Sequence, residues 1–286
     1  MYKILKKSLL APQIYLMELH APRIAVSAQP GQFLIVIVDE RGERIPLTVC
    51  DFDRKKETVT IVIQAIGAST MRIVELNEGQ FLRDVVGPLG HASEFIKLSE
   101  DELKDKNFMF VAGGLGAAPV YPQVKWLADH GVKPHVIIGA KNSNLTIFEK
   151  EFRAITPNVH IATDDGSAGF HGLVTDLLKE LVAKGEHLDQ VVAIGPMIMM
   201  KFVAMTTKAL NIPTIVSLNT LMVDGTGMCG ACRVTVGGKT RFACVDGPEF
   251  DGHQVDFDEA LRRGSMYRTI EQRLKEKESH KCNLGL

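Results

Sequence analysis

The stretch 107–131, NFMFVAGGLGAAPVYPQVKWLADHG, decides how the chain is read. Phe108 to Val111 is an unbroken apolar run of strand length, and it leads into Gly113 and Gly114 instead of polar turn residues. From Ala117 the apolar positions recur at helical spacing as far as Gly131. A buried strand that passes through glycines into a helix is the opening unit of a parallel sheet. The unit repeats. Strands KPHVIIGA (133–140), VHIATDDG (159–166), QVVAIGP (190–196) and IPTIVSL (212–218) alternate with helices LTIFEKEFRAI (145–155), GLVTDLLKELVAKG (172–185) and MIMMKFVAMTTKALN (197–211). This rhythm predicts an α/β domain over residues 101–218, with helices on both faces of a parallel sheet.

Either side of that block the pattern changes. Residues 1–100 carry short β-branched runs, FLIVIV (33–38), TVTIVIQ (58–64) and FLRDVV (81–86), separated by Gly, Pro and Asp. Strands at that spacing without helices between them predict an antiparallel barrel or sandwich. Residues 219–286 are rich in glycine and cysteine and close with ALRRGSMYRTIEQRLKEKESHK (260–281), an expected amphipathic surface helix.

Composition removes several classes. The 286 residues are 45% hydrophobic and 23% charged with a formal net charge of -1, which fits neither a disordered tail nor a strongly basic nucleic-acid binder. Pro12, Glu18 and Pro22 break the N-terminal apolar runs, so no signal-peptide core is expected. The runs Phe108 to Pro122 and Val191 to Met200 are too short and too interrupted to span a bilayer. A soluble cytoplasmic protein is expected. Of the 5 cysteines, Cys229, Cys232 and Cys244 are clustered, and only Cys50 and Cys282 are left over. An odd, clustered count is a poor disulfide framework and points to a metal site.

Gly113, Gly114, Gly116, Ala118 and Pro119 lie where the first parallel strand meets its helix. There the backbone can turn tightly, and the helix N–H groups offer partial positive charge to a pyrophosphate. A glycine corner that holds no ligand satisfies the same pattern. The second strand ends at Gly139-Ala140-Lys141 without the acid that usually takes ribose hydroxyls, so the standard Rossmann arrangement is not expected. Asp164 and Asp165, and Gly195 and Pro196, fall at later strand ends on the same edge of the sheet, where open α/β sheets bind ligands. Met197, Met199, Met200 and Met205 are expected to fill the core.

In the front domain, Arg44 precedes Pro46, Leu47 and Thr48, and Gly67, Ser69 and Thr70 open a short helix. An arginine facing a helix N-terminus of this composition can hold a diphosphate from two sides. Behind them, Cys229 and Cys232 form a C-x2-C pair on a glycine-rich loop, and Cys244 returns after a Gly237-Gly238 hairpin. Asp224 stands where the plant-type spacing C-x4-C-x2-C has its first cysteine, so the 2Fe–2S register is kept with one thiolate replaced by a carboxylate. A three-cysteine zinc site and a ligand-free thiol group are the competing readings, and Cys282 or an outside residue is the alternative fourth ligand.

Together these segments resemble the ferredoxin-NADP reductase superfamily over essentially the whole chain, and within it the electron-transfer subunits related to that of dihydroorotate dehydrogenase type B. The resemblance implies an N-terminal FAD-binding β-barrel, an NAD(P)-binding α/β domain and a small C-terminal 2Fe–2S domain. Arg44, Pro46, Leu47 and Thr48 match the flavin motif, in which the arginine binds the FAD diphosphate and the hydroxyl lies by the isoalloxazine ring. Gly67 and Thr70 match the second flavin motif, Gly87-Pro88-Leu89-Gly90 a barrel-closing turn, and Gly113 to Pro119 the nicotinamide nucleotide loop. Asp224 and the stretch from Gly247 to Asp256 are more similar to small subunits of NADH-dependent reduced ferredoxin:NADP oxidoreductases, also described as sulfide dehydrogenase beta subunits. That group implies flavin-based electron bifurcation with a large partner subunit that carries flavin and 4Fe–4S clusters and reaches ferredoxin. Thr48 is then the expected catalytic hydroxyl and NAD the expected nucleotide. An electron-transfer subunit of dihydroorotate dehydrogenase or of a sulfide-linked enzyme is the nearer alternative, and a redox-sensing metal module the distant one.

Overall fold

The computed structural model describes residues 1–40, 42–267 and 269–273. The front domain contains β1 (Tyr2–Ala11), β2 (Ile14–His20), α1 (Pro22–Ser27), β3 (Phe33–Ile37), β4 (Ile45–Asp53), β5 (Thr58–Gln64), α2 (Ala68–Glu75), β6 (Phe81–Leu82) and β7 (Asp84–Leu89). The strands form one antiparallel sheet in the order β6-β1-β2-β5-β4-β3-β7. FLRDVV, one run in the sequence, is two strands on opposite edges. Phe81 and Leu82 pair with Lys3 and Tyr2 of β1, whereas Asp84, Val85 and Val86 pair with Ile37, Val36 and Ile35 of β3. The chain crosses between the edges at Arg83, so the sheet curls into a nearly closed barrel. Ile4, Met17, Leu19, Leu34, Val36, Ile61 and Ile63 fill its interior.

The chain continues through α3 (Glu100–Lys104), β8 (Phe108–Gly113), α4 (Ala117–Asp129), β9 (His135–Ala140), α5 (Glu149–Ile155), β10 (Val159–Thr163), β11 (Phe170–His171), α6 (Val174–Ala183), β12 (Gln190–Ile194), α7 (Met197–Ala209) and β13 (Thr214–Ser217). It ends in β14 (Arg233–Val236), β15 (Lys239–Phe242), β16 (Glu249–Asp251) and α8 (Phe257–Gly264). The second sheet has the order β11-β10-β9-β8-β12-β13-β16. Its strands run parallel except β16, which returns from the cysteine segment to pair antiparallel with β13. Every residue of β8 is buried, as its continuous apolar run requires of a central strand covered on both faces. Phe108, Phe110 and Phe152 are among the largest fully buried side chains, each worth about 1.5–3 kcal/mol of transfer free energy.

The three segments share cores. Phe33 and Ile35 of the barrel pack in one apolar cluster with Met109 and Val111 of β8 and with Cys232 and Cys244. Met200 lies in this core, and Met197 and Met199 pack against its edge. Met205 does not belong with them. It is 57% exposed, because its position on α7 faces away from the sheet. The closing helix also differs from its expected span. Helix α8 starts at Phe257, where the Asp256 carboxylate accepts the Glu259 N–H at 2.9 Å, and its regular span stops at Gly264. Residues 269–273 are helical again, while residue 268, the part of the expected helix from residue 274 onward, and Cys282 lie outside the described residues. Among the described residues no helix is long and apolar enough to cross a membrane.

Candidate functional site

Parallel strands β8, β9, β10 and β12 place their carboxyl ends on one edge. Gly113 and Gly114 pass through a short 3-10 turn into α4, whose cap residue Gly116 carries no side chain to satisfy the first N–H groups. A Cβ on Gly116 would stand 2.0 Å from the Ile194 carbonyl oxygen of β12, and one on Gly113 would stand 2.3 Å from Met199 Sδ. A Cβ on Gly195 would meet Met199 Cε at 2.9 Å and the Gly113 backbone at 3.0 Å. These three glycines therefore let two strand exits touch. Gly114 differs, with φ +54 and open space beside it, and it is the point where a ligand can approach the backbone. Ala118 is buried in the first turn of α4, Pro119 is half-buried, and Pro196 is exposed at the start of α7.

At the end of β10, Asp164 and Asp165 are exposed. The Asp165 carboxylate accepts the Ser167 N–H at 2.9 Å, and the Ser167 hydroxyl and N–H hold it below the usual carboxylate range. It therefore shapes the turn and keeps its negative charge there.

On the barrel, Thr48 pairs with Phe33 and Pro46 with Ile35. Directly opposed residues share a face, so Pro46 and Thr48 look toward the core shared with the parallel sheet, while Leu47 packs inward on the barrel. Thr48 is half-buried there. At α2, the Gly67 N–H donates to Thr70 Oγ1 at 2.9 Å, which closes the helix start. Buried Ser69 hydrogen-bonds the Glu43 carboxylate, and Arg72 pairs with Asp39. Sequence reasoning passed over Glu43 and Asp39, because nothing local marks an acid in a loop as the partner of a later helix.

Arg44 does not stop at the barrel. Its Nε donates to the Val223 carbonyl at 2.7 Å and its Nη2 to the Asp224 carbonyl at 3.1 Å, so the guanidinium grips the backbone of the cysteine loop. Gly225, at φ +75, lies against Leu89 and Ile35 of the barrel, where a Cβ would come within 2.9 Å and 3.0 Å of their side chains.

Within that loop the Asp224 carboxylate accepts the Thr226 N–H at 2.9 Å and the Cys229 N–H at 2.7 Å. Those backbone donors hold it below its ordinary pKa, so it is an anion at neutral pH. Cys232 and Cys244 are buried with their sulfurs 3.2 Å apart, while Cys229 is exposed and its sulfur accepts the Ala231 N–H at 3.4 Å. Burial first, and then the neighbouring Cys232, push the Cys244 thiol up to about 12. Of the three clustered thiols, the loop brings Cys232 and Cys244 together and leaves Cys229 at its rim. Among the described residues no three His, Cys, Asp or Glu side chains gather around one ion, because Asp224 turns back to cap its own loop and Cys229 lies on the outer side. Two soft sulfurs at depth, a third at the rim, a carboxylate and N–H donors at sulfur make a sulfur-rich set of the kind that holds an iron–sulfur group. The turn at Gly237 (φ +58) and Gly238 (φ +71) brings Cys244 back as expected.

Two further residues escaped the sequence reading. Arg263 of α8 donates to the Ala231 carbonyl at 3.0 Å and ties the terminal helix to the loop. Glu249 sits where all three segments meet. Its Oε1 accepts Ser93 Oγ at 2.9 Å and Gln123 Nε2 at 3.0 Å, and enclosure by protein raises its pKa to about 7. A groove of about 550 Å³ runs from Pro196 and Ile198 past Leu221 to Cys229 and Ala231.

Residues 219–256 match the family model for the iron–sulfur cluster binding domain of dihydroorotate dehydrogenase B. The chain is 58% identical over 272 residues to an uncharacterized protein in the adh 3′ region of Clostridium beijerinckii, covering 95% of this chain and 92% of the relative. It is 42% identical over 269 residues to a dihydroorotate dehydrogenase B (NAD(+)) electron transfer subunit homolog of Thermotoga maritima, covering 94% and 92%. Against the electron transfer subunit of Geobacillus kaustophilus the identity is 33% over 258 residues, covering 88% and 96%. A chain in the solved NADH-dependent reduced ferredoxin-NADP oxidoreductase structure, studied for flavin-based electron bifurcation, superposes with a TM-score of 0.89 at 40% identity and 97% coverage of both chains. Phthalate dioxygenase reductase, at 17% identity and a TM-score of 0.58 over 82% of this chain and 85% of its own, shares the fold. The chain belongs to the family of dihydroorotate dehydrogenase B electron-transfer subunits and their homologues.

Proposed function

We propose that this chain is the FAD- and 2Fe–2S-containing electron-transfer subunit of a flavin-based electron-bifurcating, NADH-dependent ferredoxin:NADP transhydrogenase, exchanging hydride with NAD(H) at its FAD. The observation that carries the reading is the direct contact of Arg44, just before β4, with Val223 and Asp224 of the cysteine loop, combined with the overall likeness to the bifurcating oxidoreductase chain. When bound, FAD supplies the interchange between hydride and single electrons, and the cluster supplies one-electron passage.

The chain's own residues divide the work. Arg44, Gly67, Ser69 and Thr70 hold the flavin diphosphate, and Pro46, Leu47 and Thr48 line the ring. Gly113, Gly114, Gly116, Ala118 and Pro119 shape the nucleotide loop, with Gly195 and Pro196 beside it. Asp164 and Asp165 would oppose a 2′-phosphate and Lys141 would meet one, so the choice of NAD rests on the family resemblance. Cys229, Cys232 and Cys244, with Asp224 as the fourth ligand, hold the cluster. Cys50 is buried in the core between barrel and parallel sheet and takes no part. The chain therefore lacks the thiols for a 4Fe–4S centre, and a large partner carrying flavin and 4Fe–4S clusters must reach ferredoxin. Leu221, Val223 and Met228, exposed at 42%, 48% and 89% beside Cys229, suit such a partner's docking.

The test has two stages. The full chain should purify yellow-brown, with iron and labile sulfide, and bleach on NADH; a colourless zinc protein would reject the reading. Co-purified with its partner, it should reduce ferredoxin from NADPH only when NAD is present, and dihydroorotate-dependent NAD reduction would instead select the orotate-type enzyme. Thr48→Ala should slow flavin reduction by NADH about tenfold in stopped flow while FAD stays bound. Equal rates would remove Thr48 from the chemistry.

A further inference from the structure

We infer that Arg44 is a two-sided positioning residue, one edge of its guanidinium fixing the cysteine loop while the other meets the flavin diphosphate, so that flavin binding and cluster retention are linked. The inference rests on the flavin reading above and goes beyond it, since a diphosphate ligand alone would have no reason to hold a loop 179 residues away.

The geometry is specific to arginine. Nε and Nη2 donate to two successive carbonyls, those of Val223 and Asp224, at 2.7 and 3.1 Å. That uses the side-on edge of the planar fork and leaves the end-on edge, which bears Nη1, for an anion. The gripped carbonyls belong to the residue proposed as fourth ligand and to its predecessor. Directly after them the backbone turns left-handed at Gly225 and is pressed against Leu89 and Ile35 of the barrel. The loop is thus anchored at its entry to the barrel, and at Ala231 to α8 through Arg263. A lysine at position 44 would keep the charge for a diphosphate but has no pair of donors in a rigid fork to span two carbonyls. A ligand that orders one edge of the fork also holds the other, and by linkage whatever stability one bound group lends the other is returned in equal measure.

The test uses the full chain with its flavin removed by salt dialysis, comparing wild type, Arg44→Ala and Arg44→Lys by near-ultraviolet circular dichroism, electron paramagnetic resonance of the dithionite-reduced cluster, and iron release to a chelator. Arg44→Ala is expected to change the resonance line shape and to release iron about tenfold faster, the factor for loss of one charge-assisted pair of hydrogen bonds. Arg44→Lys should recover much of the FAD affinity but not the cluster signature. In wild type, adding FAD back should slow iron release. Unchanged resonance and release in Arg44→Ala, with FAD affinity lowered, would overturn the two-sided role and leave Arg44 a flavin ligand only. Should Arg44→Ala not fold, Arg44→Lys and the wild-type FAD effect decide, and iron release indifferent to both overturns the inference. A wild-type chain that takes up no FAD overturns the flavin reading itself, a separate and recognisable failure.

Discussion

At the exits of β8 and β12, Gly113 and Gly116 keep ordinary negative φ values of -101 and -59, and there is no room for a Cβ on either of them or on Gly195. In the cysteine loop, Gly225, Gly227 and Gly230 all have positive φ, at +75, +87 and +67. The first set is glycine because two strands must touch, and the second because the chain must turn where L side chains are strained. The exits are therefore fixed by the packing of the sheet before any ligand arrives. The loop is fixed by local turns and by a few hydrogen bonds from distant residues, and that makes it the softer of the two.

The largest effect should come from breaking the hard region. Gly116→Ala places a methyl 2.0 Å from the Ile194 carbonyl, and neither β8 nor β12 can move without disturbing the central sheet. A loss of about 3 kcal/mol in urea unfolding is expected. Gly114→Ala, two residues away in open space but at φ +54, should cost only about 1 kcal/mol. Equal costs would show that strand contact is not what requires glycine at 116.

Glu249 joins the two regions, and its ionisation tests the joint. It lies on β16, the strand that returns from the cysteine segment, and is gripped by Ser93 and Gln123. Its folded pKa, about 7, is above the ordinary carboxylate value near 4.3, so the folded state binds its proton more tightly than the unfolded one. That contribution to stability is complete below about pH 4.3 and is lost as the pH rises through about 7. The Glu94 carboxylate, on the turn that carries Ser93's neighbours, adds to the upward shift. Glu249→Gln should stabilise the chain by about 2 kcal/mol at pH 8, leave it nearly unchanged at about pH 4, and flatten the pH dependence of Tm between them. A variant that keeps the wild-type slope would place the titration elsewhere.

Much of this architecture was legible in the sequence, and the remainder was not for identifiable reasons. The β8–α4 unit and its successors announce themselves through apolar runs and helical spacing, which are local signals. Barrel closure at Arg83 is not local. FLRDVV looks like one strand because alternation records which face is buried and not which neighbour is paired. The glycine- and cysteine-rich loop is marked by its own spacing, but the contact of Arg44 with Val223 and Asp224 spans a sequence distance no spacing rule addresses. Met205 shows the converse error, since an apolar residue in an apolar helix says little about which side it faces.

In the soft region the expected effects are smaller and are read better on the loop than on global stability. Gly225→Ala should cost about 1–2 kcal/mol for its left-handed φ, with Leu89 and Ile35 yielding at their flexible ends. Arg263→Ala is the gentlest. It deletes one hydrogen bond, from Nη2 to the Ala231 carbonyl, and leaves α8 its buried anchors Phe257 and Ala260, so unfolding should shift by about 1 kcal/mol or less. Yet Ala231 lies between Cys229 and Cys232, and Cys229 is the exposed thiol of the set. Iron release to a chelator should therefore rise several-fold while Tm hardly moves, and alkylation of Cys229 in the metal-free chain should speed up in parallel. A variant in which Tm falls and iron release stays constant would mean that the loop is as rigid as the strand exits, and the distinction between fold-fixed and contact-fixed glycines would fail at this end of the molecule.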